Sequence, residues 1–255
     1  MGRRLGQHFL ADWEILDRIA TAACPDHEPL VVEIGPGRGA LTKHLLPRAG
    51  RLIAIETDPR LVSFLQDRFP DAQNLSVVRG DVLQTDLAQW GPAVVAGNLP
   101  YYITSPVLAR VLQLGPLLRW AVFLVQKEVA ERLTASPGTR DYGFLTVRTQ
   151  FFAAPEVLFT VKPGAFRPPP KVESAVVLLK TRPPEERPAV DAAGFLDFVL
   201  QCFRQKRKTI RNNLSGIWPR VFLESLPDTA RRAEELSIPE FVDLYDRLRK
   251  GSGPS

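Results

Sequence analysis

The stretch EIGPGRG, Glu33 to Gly39, decides the fold of this 255-residue chain. It overlaps the end of an apolar run, Leu30 to Ile34, that has the length and composition of a buried β-strand. Gly35, Gly37 and Gly39 then place a turn where the strand should give way to a helix, and glycines there let a ligand approach the backbone closely. Alone the motif is weak evidence, because such turns serve many nucleotides and some merely end a strand.

Short apolar runs alternate with helical patterns through the first two-thirds of the chain. Strands alternating with helices predict βαβ units, and therefore an α/β fold with a doubly wound, mostly parallel sheet. Sheets of this kind bind ligands beyond the carboxyl ends of their strands, so the residue that follows each strand matters most. The predicted strands are Leu30–Ile34, Leu52–Ile55, Leu75–Val78, Ala93–Ala96 and Ala121–Val125.

Acidic side chains follow the second and third predicted strands. Glu56 lies about 20 residues beyond the glycines, where a carboxylate can accept hydrogen bonds from both hydroxyls of a ribose. Asp81 follows Gly80 and can accept a hydrogen bond from an adenine amino group, whereas the alternative is a lone surface aspartate. With the glycine turn, these two carboxylates predict a nucleoside-binding site.

The pattern differs from the nicotinamide fingerprint. That fingerprint is G-x-G-x-x-G, whereas this chain has G-x-G-x-G preceded by an acid, and a pyrophosphate has no special need of Asp81. The combination resembles the class I S-adenosylmethionine (SAM) methyltransferases. This resemblance implies a Rossmann-like fold that binds SAM and releases S-adenosylhomocysteine, with Gly35 at the methionine part, Glu56 at the ribose and Asp81 at the adenine. Nicotinamide binding is the minor alternative.

The fourth predicted strand runs into NLPYYIT, Asn98 to Thr104. An adenine amino nitrogen is a poor nucleophile because its lone pair is delocalised, and two acceptors aimed at its hydrogens favour the pyramidal form that attacks a methyl group. Asn98 offers its side-chain oxygen, and Leu99 offers a carbonyl that Pro100 keeps out of the helical region. Tyr101 can hold the base by stacking.

NLPYYIT also has a purely structural explanation. Asn98 could cap the following helix, and Tyr101 and Tyr102 could be core residues. Beside the cofactor pattern, however, the catalytic interpretation is favoured. The form Asn-[Leu/Ile]-Pro-Tyr resembles that of RNA adenine N6 methyltransferases, which implies an RNA substrate.

The composition limits the class of protein. With 45% apolar residues the chain can form one large domain, or one with a smaller appendage. Its apolar runs fall far short of the roughly 20 residues that a membrane helix needs, and its start lacks a signal-peptide pattern, so we expect a cytoplasmic protein. Cys24, Cys202 and the histidines at positions 8, 27 and 44 have no metal-ligand spacing. We therefore predict no metal.

Positive charge is concentrated in one segment. The net charge is only +5, but the segment from Arg204 to Arg220 contains no acidic residue. Together with Arg3 and Arg4 it can neutralise RNA phosphates, whereas the alternative is a solvated helix face. The cations of this segment are Arg204, Lys206, Arg207, Lys208, Arg211 and Arg220.

A change of pattern near Pro184 predicts a domain boundary. Before it, Leu145–Phe152 and Val172–Lys180 are predicted to be strands, and after the linker Thr181–Pro188 the pattern becomes helical. We predict a SAM-binding catalytic domain over residues 1–184, a helical RNA-binding domain over residues 185–250 and a disordered tail over residues 251–255.

Nearly the whole chain resembles one family, the small-subunit rRNA adenine dimethyltransferases (KsgA/RsmA). Each matching stretch is a modest signal, but their order and spacing are highly specific. The stretches are LGQHFL (Leu5–Leu10), VEIGPGRGALT (Val32–Thr42), AIETD (Ala54–Asp58), Gly80-Asp81, GNLPYYITSP (Gly97–Pro106), FRPPPKVES (Phe166–Ser174), RQKRKTIRNNL (Arg204–Leu214) and RAEELSIPEF (Arg232–Phe241).

The resemblance implies that each of two adjacent adenosines near the 3′ end of 16S rRNA is dimethylated, within the small ribosomal subunit or its precursor, by a monomer. Many members have Asn where this chain has His8, so the geometry of that contact is open. Phe166 would stack on the face of the adenine opposite Tyr101; otherwise it would be a plain core residue. The implied residues are His8, Leu10, Gly35, Gly37, Glu56, Asp81, Val82 and Asn98 for SAM, Asn98, Leu99, Pro100, Tyr101 and Phe166 for catalysis, and Arg204, Lys206, Arg207, Lys208 and Arg211 for RNA.

Two rival functions share these features. Erm-type methyltransferases, which modify large-subunit rRNA, have the same Asn-[Leu/Ile]-Pro-Tyr motif, although RKTIRNNL (Arg207–Leu214) and LSIPEF (Leu236–Phe241) favour the small-subunit enzymes. A non-catalytic RNA-binding assembly factor could also have this fold. Intact Glu56, Asp81 and Asn98 argue against a complete loss of catalysis.

Overall fold

The computed structural model describes residues 8–251. The predictions for Arg3 and Arg4, and for the tail beyond Gly251, lie outside the described residues. Two compact units divide the chain: the first contains residues up to 130 and residues 153–181, and the second contains residues 131–152 and the residues from 182 onward.

A seven-stranded sheet forms the centre of the first unit. Its strand order is β4-β3-β2-β5-β6-β9-β7, in which β4, β3, β2, β5 and β6 run parallel while β9 pairs antiparallel with β6 and β7. A separate two-stranded antiparallel sheet joins β1 to β8. The strands are β1 Phe9–Leu10, β2 Glu28–Ile34, β3 Ala49–Glu56, β4 Leu75–Arg79, β5 Ala93–Asn98, β6 Leu118–Gln126, β7 Ala153–Val161, β8 Phe166–Arg167 and β9 Ser174–Thr181.

The strand order changes direction between β2 and β5, which are neighbours in the sheet but not consecutive in sequence. Strands β3 and β4 lie on one side of β2, and β5 and β6 lie on the other. A crevice forms at the carboxyl ends of parallel strands where the order reverses in this way. The glycine turn, Glu56, Asp81 and Asn98 all lie at these ends, because each follows or closes β2, β3, β4 or β5. The five parallel strands and the helices that alternate with them confirm the predicted α/β class with a mostly parallel sheet.

Helices of the first unit pack on the sheet through apolar faces. In α1, Leu16, Ile19, Ala20 and Ala23 are buried in the core that includes Val31 and other residues of the central strands. The Asp12 carboxylate accepts the backbone N–H groups of the first turn and so fixes where α1 begins. The helices that begin in this unit are α1 Trp13–Ala23, α2 Ala40–Leu45, α3 Pro59–Arg68, α4 Thr104–Leu112 and α5 Lys127–Thr134.

The second unit has its own aromatic core. Phe195, Phe198 and Tyr245 are buried together, with ring centroids 5.3–5.8 Å apart in the contacts Phe151–Phe195, Phe195–Tyr245 and Phe198–Tyr245. The expected helical character of the C-terminal part is confirmed, and Gly251, which was assigned to the tail, is the last residue of a helix. The remaining helices are α6 Phe144–Phe152, α7 Ala192–Cys202, α8 Ile210–Leu214, α9 Arg220–Glu224 and α10 Ile238–Gly251.

The prediction of a strand over Leu145–Phe152 is wrong, because these residues form most of α6. The Thr146 hydroxyl accepts the Gly143 N–H and donates to the Arg132 carbonyl, which fixes the start of the helix. Val147 and Phe151, one helical turn apart, are both buried in the aromatic core. The segment Glu131–Phe152 therefore belongs to the second unit, whereas the expected boundary near Pro184 assigned it to the catalytic domain.

Candidate active site

A cavity of about 310 Å³ opens at the carboxyl ends of β2, β3, β4 and β5. Eleven of the predicted residues line it, and they come from the ends of β2, β3, β4 and β5 and from the segment His8–Leu10. They are His8, Leu10, Gly35, Gly37, Glu56, Asp81, Val82, Asn98, Leu99, Pro100 and Tyr101.

Glu56 is held rigidly at the end of β3. One carboxylate oxygen accepts the backbone N–H groups of Thr57 (2.8 Å) and Asp58 (3.0 Å), and the other accepts the Gly37 N–H at 3.1 Å. The carboxylate is buried and therefore depends on these donors for stabilisation. The glycine turn and Glu56 thus form one hydrogen-bonded unit with acceptor capacity left for a ligand.

A second carboxylate, Glu33, lies near the end of β2, two residues before Gly35. It is 1% exposed, lines the cavity and accepts a 2.7 Å hydrogen bond from the Thr42 hydroxyl. Burial raises the pKa of Glu33 to about 7, the Thr42 hydrogen bond opposes that rise, and the negative charge of Glu56 adds to it. The sequence pattern noted this acid only as the residue before the glycines. Its signal was an acid inside an otherwise apolar strand.

Asp81 and Val82, which follow β4, also line the cavity. Asp81 is exposed, and one of its carboxylate oxygens accepts the Leu83 N–H at 2.9 Å, which leaves the other oxygen for a ligand donor. Val82 is 5% exposed and offers an apolar surface beside it. An acceptor next to an apolar surface suits the edge and face of a purine ring.

Asn98 is oriented by the residue that precedes β1. Its side-chain amide donates to the His8 carbonyl at 3.4 Å, so its side-chain oxygen is available to a hydrogen-bond donor in the cavity. The His8 ring in turn hydrogen-bonds through Nδ1 to the Pro168 carbonyl at 2.8 Å. His8 therefore contributes a backbone acceptor for Asn98 and a ring that is bonded to the loop after β8. The side-chain contact with SAM that the sequence implies for His8 stays a prediction.

Gly97 allows β5 to approach β2 closely. A Cβ atom at this position would lie 2.5 Å from the Ile34 carbonyl oxygen, which is too close for any residue but glycine. The Leu99 N–H donates to the Leu124 carbonyl of β6 at 3.1 Å. These two contacts fix the backbone on either side of Asn98 against β2 and β6. The sequence pattern offers one signal of the role of Gly97, because a glycine inside a buried strand indicates close backbone approach.

The capping explanation of NLPYYIT is wrong. The residue that caps α4 is Ile103, and it makes no side-chain capping hydrogen bond. Tyr101 is half-buried, and its hydroxyl lies 3.0 Å from the Ser174 hydroxyl, while its ring stacks on the His8 ring with centroids 6.1 Å apart. Tyr102 is 65% exposed, so it is not a core residue.

Phe166 is the one predicted catalytic residue that does not line the cavity among the residues described. It pairs with Leu10 in the β1–β8 sheet, is 1% exposed and packs in the core of the first unit. Its ring would have to leave this position to stack on a base. The stacking role of Phe166 therefore stays a prediction.

Comparisons with known proteins agree with this geometry. A family model described as ribosomal RNA adenine dimethylase matches residues 2–250. A ribosomal RNA small subunit methyltransferase A from Koribacter versatilis is 40% identical, over 97% of this chain and 94% of its own. The chain belongs to the ribosomal RNA adenine dimethylase family. This confirms the resemblance seen in the sequence and makes the protein a SAM-dependent methyltransferase that acts on ribosomal RNA adenine.

Solved structures of this dimethylase fold are similar along nearly the whole chain. A dimethyladenosine transferase from Plasmodium falciparum is 30% identical, with a TM-score of 0.81 over 96% of this chain and 98% of that one. The 23S rRNA methyltransferase ErmE is also 30% identical, with a TM-score of 0.71 over 94% of this chain and 99% of that one. The similarity to ErmE shows that the fold alone does not distinguish the two ribosomal subunits.

The basic segment of the dimethylase forms an exposed loop in the second unit. Arg204, Lys206, Arg207 and Lys208 are exposed between α7 and α8. Buried Asn213 holds the loop: its amide donates to the Cys202 carbonyl at 2.7 Å, and its oxygen accepts the Gln205 N–H at 3.1 Å. We call residues 204–208 the basic loop.

The two later arginines of the segment differ from the basic loop. Arg220 lies 3.0 Å and Arg211 3.8 Å from a carboxylate oxygen of Glu224. The segment is free of acidic residues in sequence, but Glu224 partly neutralises its C-terminal end in space. Phosphate binding by Arg211 is therefore a weaker expectation than binding by the basic loop.

Proposed function

We propose that this dimethylase transfers methyl groups from SAM to N6 of two adjacent adenosines near the 3′ end of 16S rRNA, in the small ribosomal subunit or its precursor. The single observation that carries the chemistry is Asn98 at the end of β5, with its amide nitrogen bonded to His8 and its oxygen available in the cavity. The choice of 16S rRNA is supported by relatives named for the small subunit at 40–43% identity.

The residues of the cavity suit SAM. Glu56 offers carboxylate acceptors fixed by three backbone donors, as a ribose diol requires, and Asp81 has an exposed oxygen beside apolar Val82, as an adenine requires. The turn at Gly35 and Gly37 has positive φ angles of 67° and 57°, which glycine adopts without strain. SAM supplies the methyl group when it is bound.

Asn98 and Leu99 would act on the attacking nitrogen. Their two oxygens would accept the two hydrogens of the adenine amino group and favour the pyramidal nitrogen that can attack. Tyr101 would hold the base by stacking, with its ring fixed by Ser174 and His8. Because the methylated nitrogen is acidic, it can lose its proton without a strong general base.

Glu33 predicts a pH dependence of SAM binding. SAM carries a positive sulfonium and a positive ammonium group, and an ionised Glu33 favours a cation in the cavity. With its pKa raised to about 7, Glu33 in the free protein is largely protonated below that pH. We therefore expect the Kd for SAM, measured by calorimetry, to decrease as pH rises from about 6 to about 8. In Glu33→Gln this dependence should be much flatter; an unchanged pH profile would contradict the assignment.

The same carboxyl group affects stability with the opposite sense. Its folded pKa is raised above the ordinary value of 4.5, so its contribution to stability is fully present below that pH and is lost as pH rises towards about 7. Between pH 4.5 and about 7, the melting temperature of the ligand-free wild type should therefore fall, and that of Glu33→Gln should fall less.

Neutralising the basic loop should weaken RNA binding without changing SAM affinity. Replacing Lys206, Arg207 and Lys208 with glutamine removes three exposed cations. If all three contact phosphates, a plot of the logarithm of the RNA association constant against the logarithm of salt concentration should have a slope shallower by about 2. A control variant neutralises Arg220 and Arg247, which already lie 3.0 Å and 2.7 Å from carboxylates, and should change the slope less for each cation removed. Equal slopes for the two variants would contradict the assignment.

We also propose that the enzyme acts as a monomer, that it works in the cytoplasm and that it needs no metal. Within residues 8–251 no helix is both long and apolar enough to cross a membrane. The same part of the chain has no group of three or more potential metal-ligating side chains.

The choice of ribosomal subunit is tested by primer extension on rRNA from a strain that lacks this gene. We expect the block caused by dimethyladenosine to disappear from the 3′ end of small-subunit rRNA and to return when the wild-type gene is restored. Loss of a block from large-subunit rRNA would instead assign the enzyme to the Erm type.

A further inference from the structure

Tyr102 presents a large aromatic ring to solvent at the cavity. It is 65% exposed and lines the cavity together with Tyr101. Other large apolar side chains exposed in the described part of the first unit, among them Trp13 (67%) and Phe64 (40%), do not line it. Scattered exposed apolar residues are common, and Tyr102 differs from these others because its ring adjoins the cavity.

The turn that carries Tyr102 is fixed at both ends. The Ile103 N–H donates to the Pro100 carbonyl at 3.1 Å, which makes Tyr101 and Tyr102 the two central residues of a β-turn. The Thr104 hydroxyl donates to the same carbonyl at 3.2 Å, and α4 begins there. A ring on such a turn is positioned in advance, so little backbone ordering opposes binding.

Tyr101 cannot serve as the platform for a second base. Its ring lies beside the His8 ring, with centroids 6.1 Å apart, and its hydroxyl lies 3.0 Å from the Ser174 hydroxyl. The proposed function assigns the cavity-facing side of this ring to the target adenine. An RNA strand that sends one base into the cavity leaves the neighbouring base unstacked at the entrance, and that base needs a surface of its own.

We propose that Tyr102 forms a subsite that stacks the nucleobase next to the target adenosine. This subsite rests on the proposed function, because it assumes a single-stranded RNA with its target base in the cavity. Where the two adenosines are adjacent and the one modified first lies on the Tyr102 side of the second, the base on Tyr102 during the second modification is the N6,N6-dimethyladenine already formed. Two methyl groups enlarge its apolar surface and remove its hydrogen-bond donors, so an aromatic ring suits it better than a polar pocket.

The test uses the full-length enzyme and undermethylated small subunits. Tyr102→Ala should raise KM for the RNA, or slow the transfer at low RNA concentration, by between about fivefold and about a hundredfold. Tyr102→Phe should retain nearly wild-type behaviour, because it keeps the ring. Tyr102→Leu keeps apolar bulk without an aromatic face and should be impaired like Tyr102→Ala. SAM affinity should not change in any of the three.

A product ratio distinguishes stacking from a general effect of the substitution. If the ring holds the neighbouring base, Tyr102→Ala should accumulate subunits with only one of the two adenosines dimethylated, as resolved by mass spectrometry of the rRNA fragment. Trp13→Ala removes an equally exposed ring on α1 and should leave both KM and the product ratio unchanged.

Two results would overturn the subsite. One is a Tyr102→Ala enzyme with wild-type KM and product ratio; the other is full retention of both by Tyr102→Leu. A wild-type enzyme that fails to dimethylate the subunits would instead contradict the proposed function. The two failures are therefore distinguishable within one experiment.

Discussion

Methyl transfer is expected to fall by about a hundredfold to a thousandfold in Asn98→Ala, the typical cost of losing one preorganised hydrogen-bonding group that acts on the reacting centre. The reason is local. The Asn98 amide nitrogen is bonded to the His8 carbonyl, which directs the side-chain oxygen to an incoming donor, and alanine offers no acceptor there. The adenine amino group would then stay planar and poorly nucleophilic. Single-turnover transfer from labelled SAM measures the effect.

Binding separates this loss of activation from a loss of structure. Asn98→Ala should still bind small subunits nearly as well as the wild type. Asn74→Ala is a matched control, because the Asn74 amide bonds the Leu46 and Ala49 carbonyls and does not line the cavity. It should lower the melting temperature but retain the single-turnover rate. A near wild-type rate in Asn98→Ala would mean that activation of the amino group does not depend on this side chain.

SAM affinity is expected to fall by about a hundredfold in Glu56→Gln, because hydrogen bonds to a charged group are stronger than those to a neutral one. The two Glu56 oxygens accept N–H groups from Thr57 and Asp58 on one side and from Gly37 on the other. A glutamine amide has one oxygen, so its NH₂ must face a backbone N–H whichever way it is turned. The substitution thus damages both the ribose acceptor and the glycine turn.

Calorimetry with SAM measures the effect of Glu56→Gln. Asp58→Asn is the control: it neutralises a nearby carboxylate that caps α3 and does not line the cavity. This variant should bind SAM almost as the wild type does. If both variants lose affinity equally, the effect is one of general charge rather than of a ribose contact.

Sequence patterns predicted the strand ends well for a physical reason. Strands buried on both faces are continuous apolar runs, so polar residues such as Glu56 and Asn98 stand out where β3 and β5 stop. Parallel strands bring their carboxyl ends to one edge of the sheet, so the residues that follow different strands lie close together although they are far apart in sequence. Eleven of the residues that line the cavity could therefore be named before any coordinates were known.

The region around α6 shows where this logic fails. Leu145–Phe152 is rich in β-branched and aromatic residues, yet it is helical because Val147 and Phe151 reach a core of residues distant in sequence. The true strand, β7, begins with AAPEV and contains Pro155, which discourages a strand assignment. Proline is tolerated there because β7 lies at the edge of the sheet.

Contacts between distant residues account for the other differences. Glu224 lies beyond the acid-free segment in sequence but meets Arg211 and Arg220 in space. Ser174 meets Tyr101 across 73 positions, and His8 meets Asn98 across 90. No local pattern encodes such pairs, so the sequence identified the groups of the site but not the partners that orient them.

The modified nucleoside itself shows most directly whether this site dimethylates N6 of adenosine in small-subunit rRNA. The protein is incubated with labelled SAM and undermethylated small subunits, and the rRNA is then digested to nucleosides and separated. We predict that the label appears in N6,N6-dimethyladenosine. Label confined to N6-methyladenosine or to another nucleoside, or its absence from the rRNA, would contradict the claim.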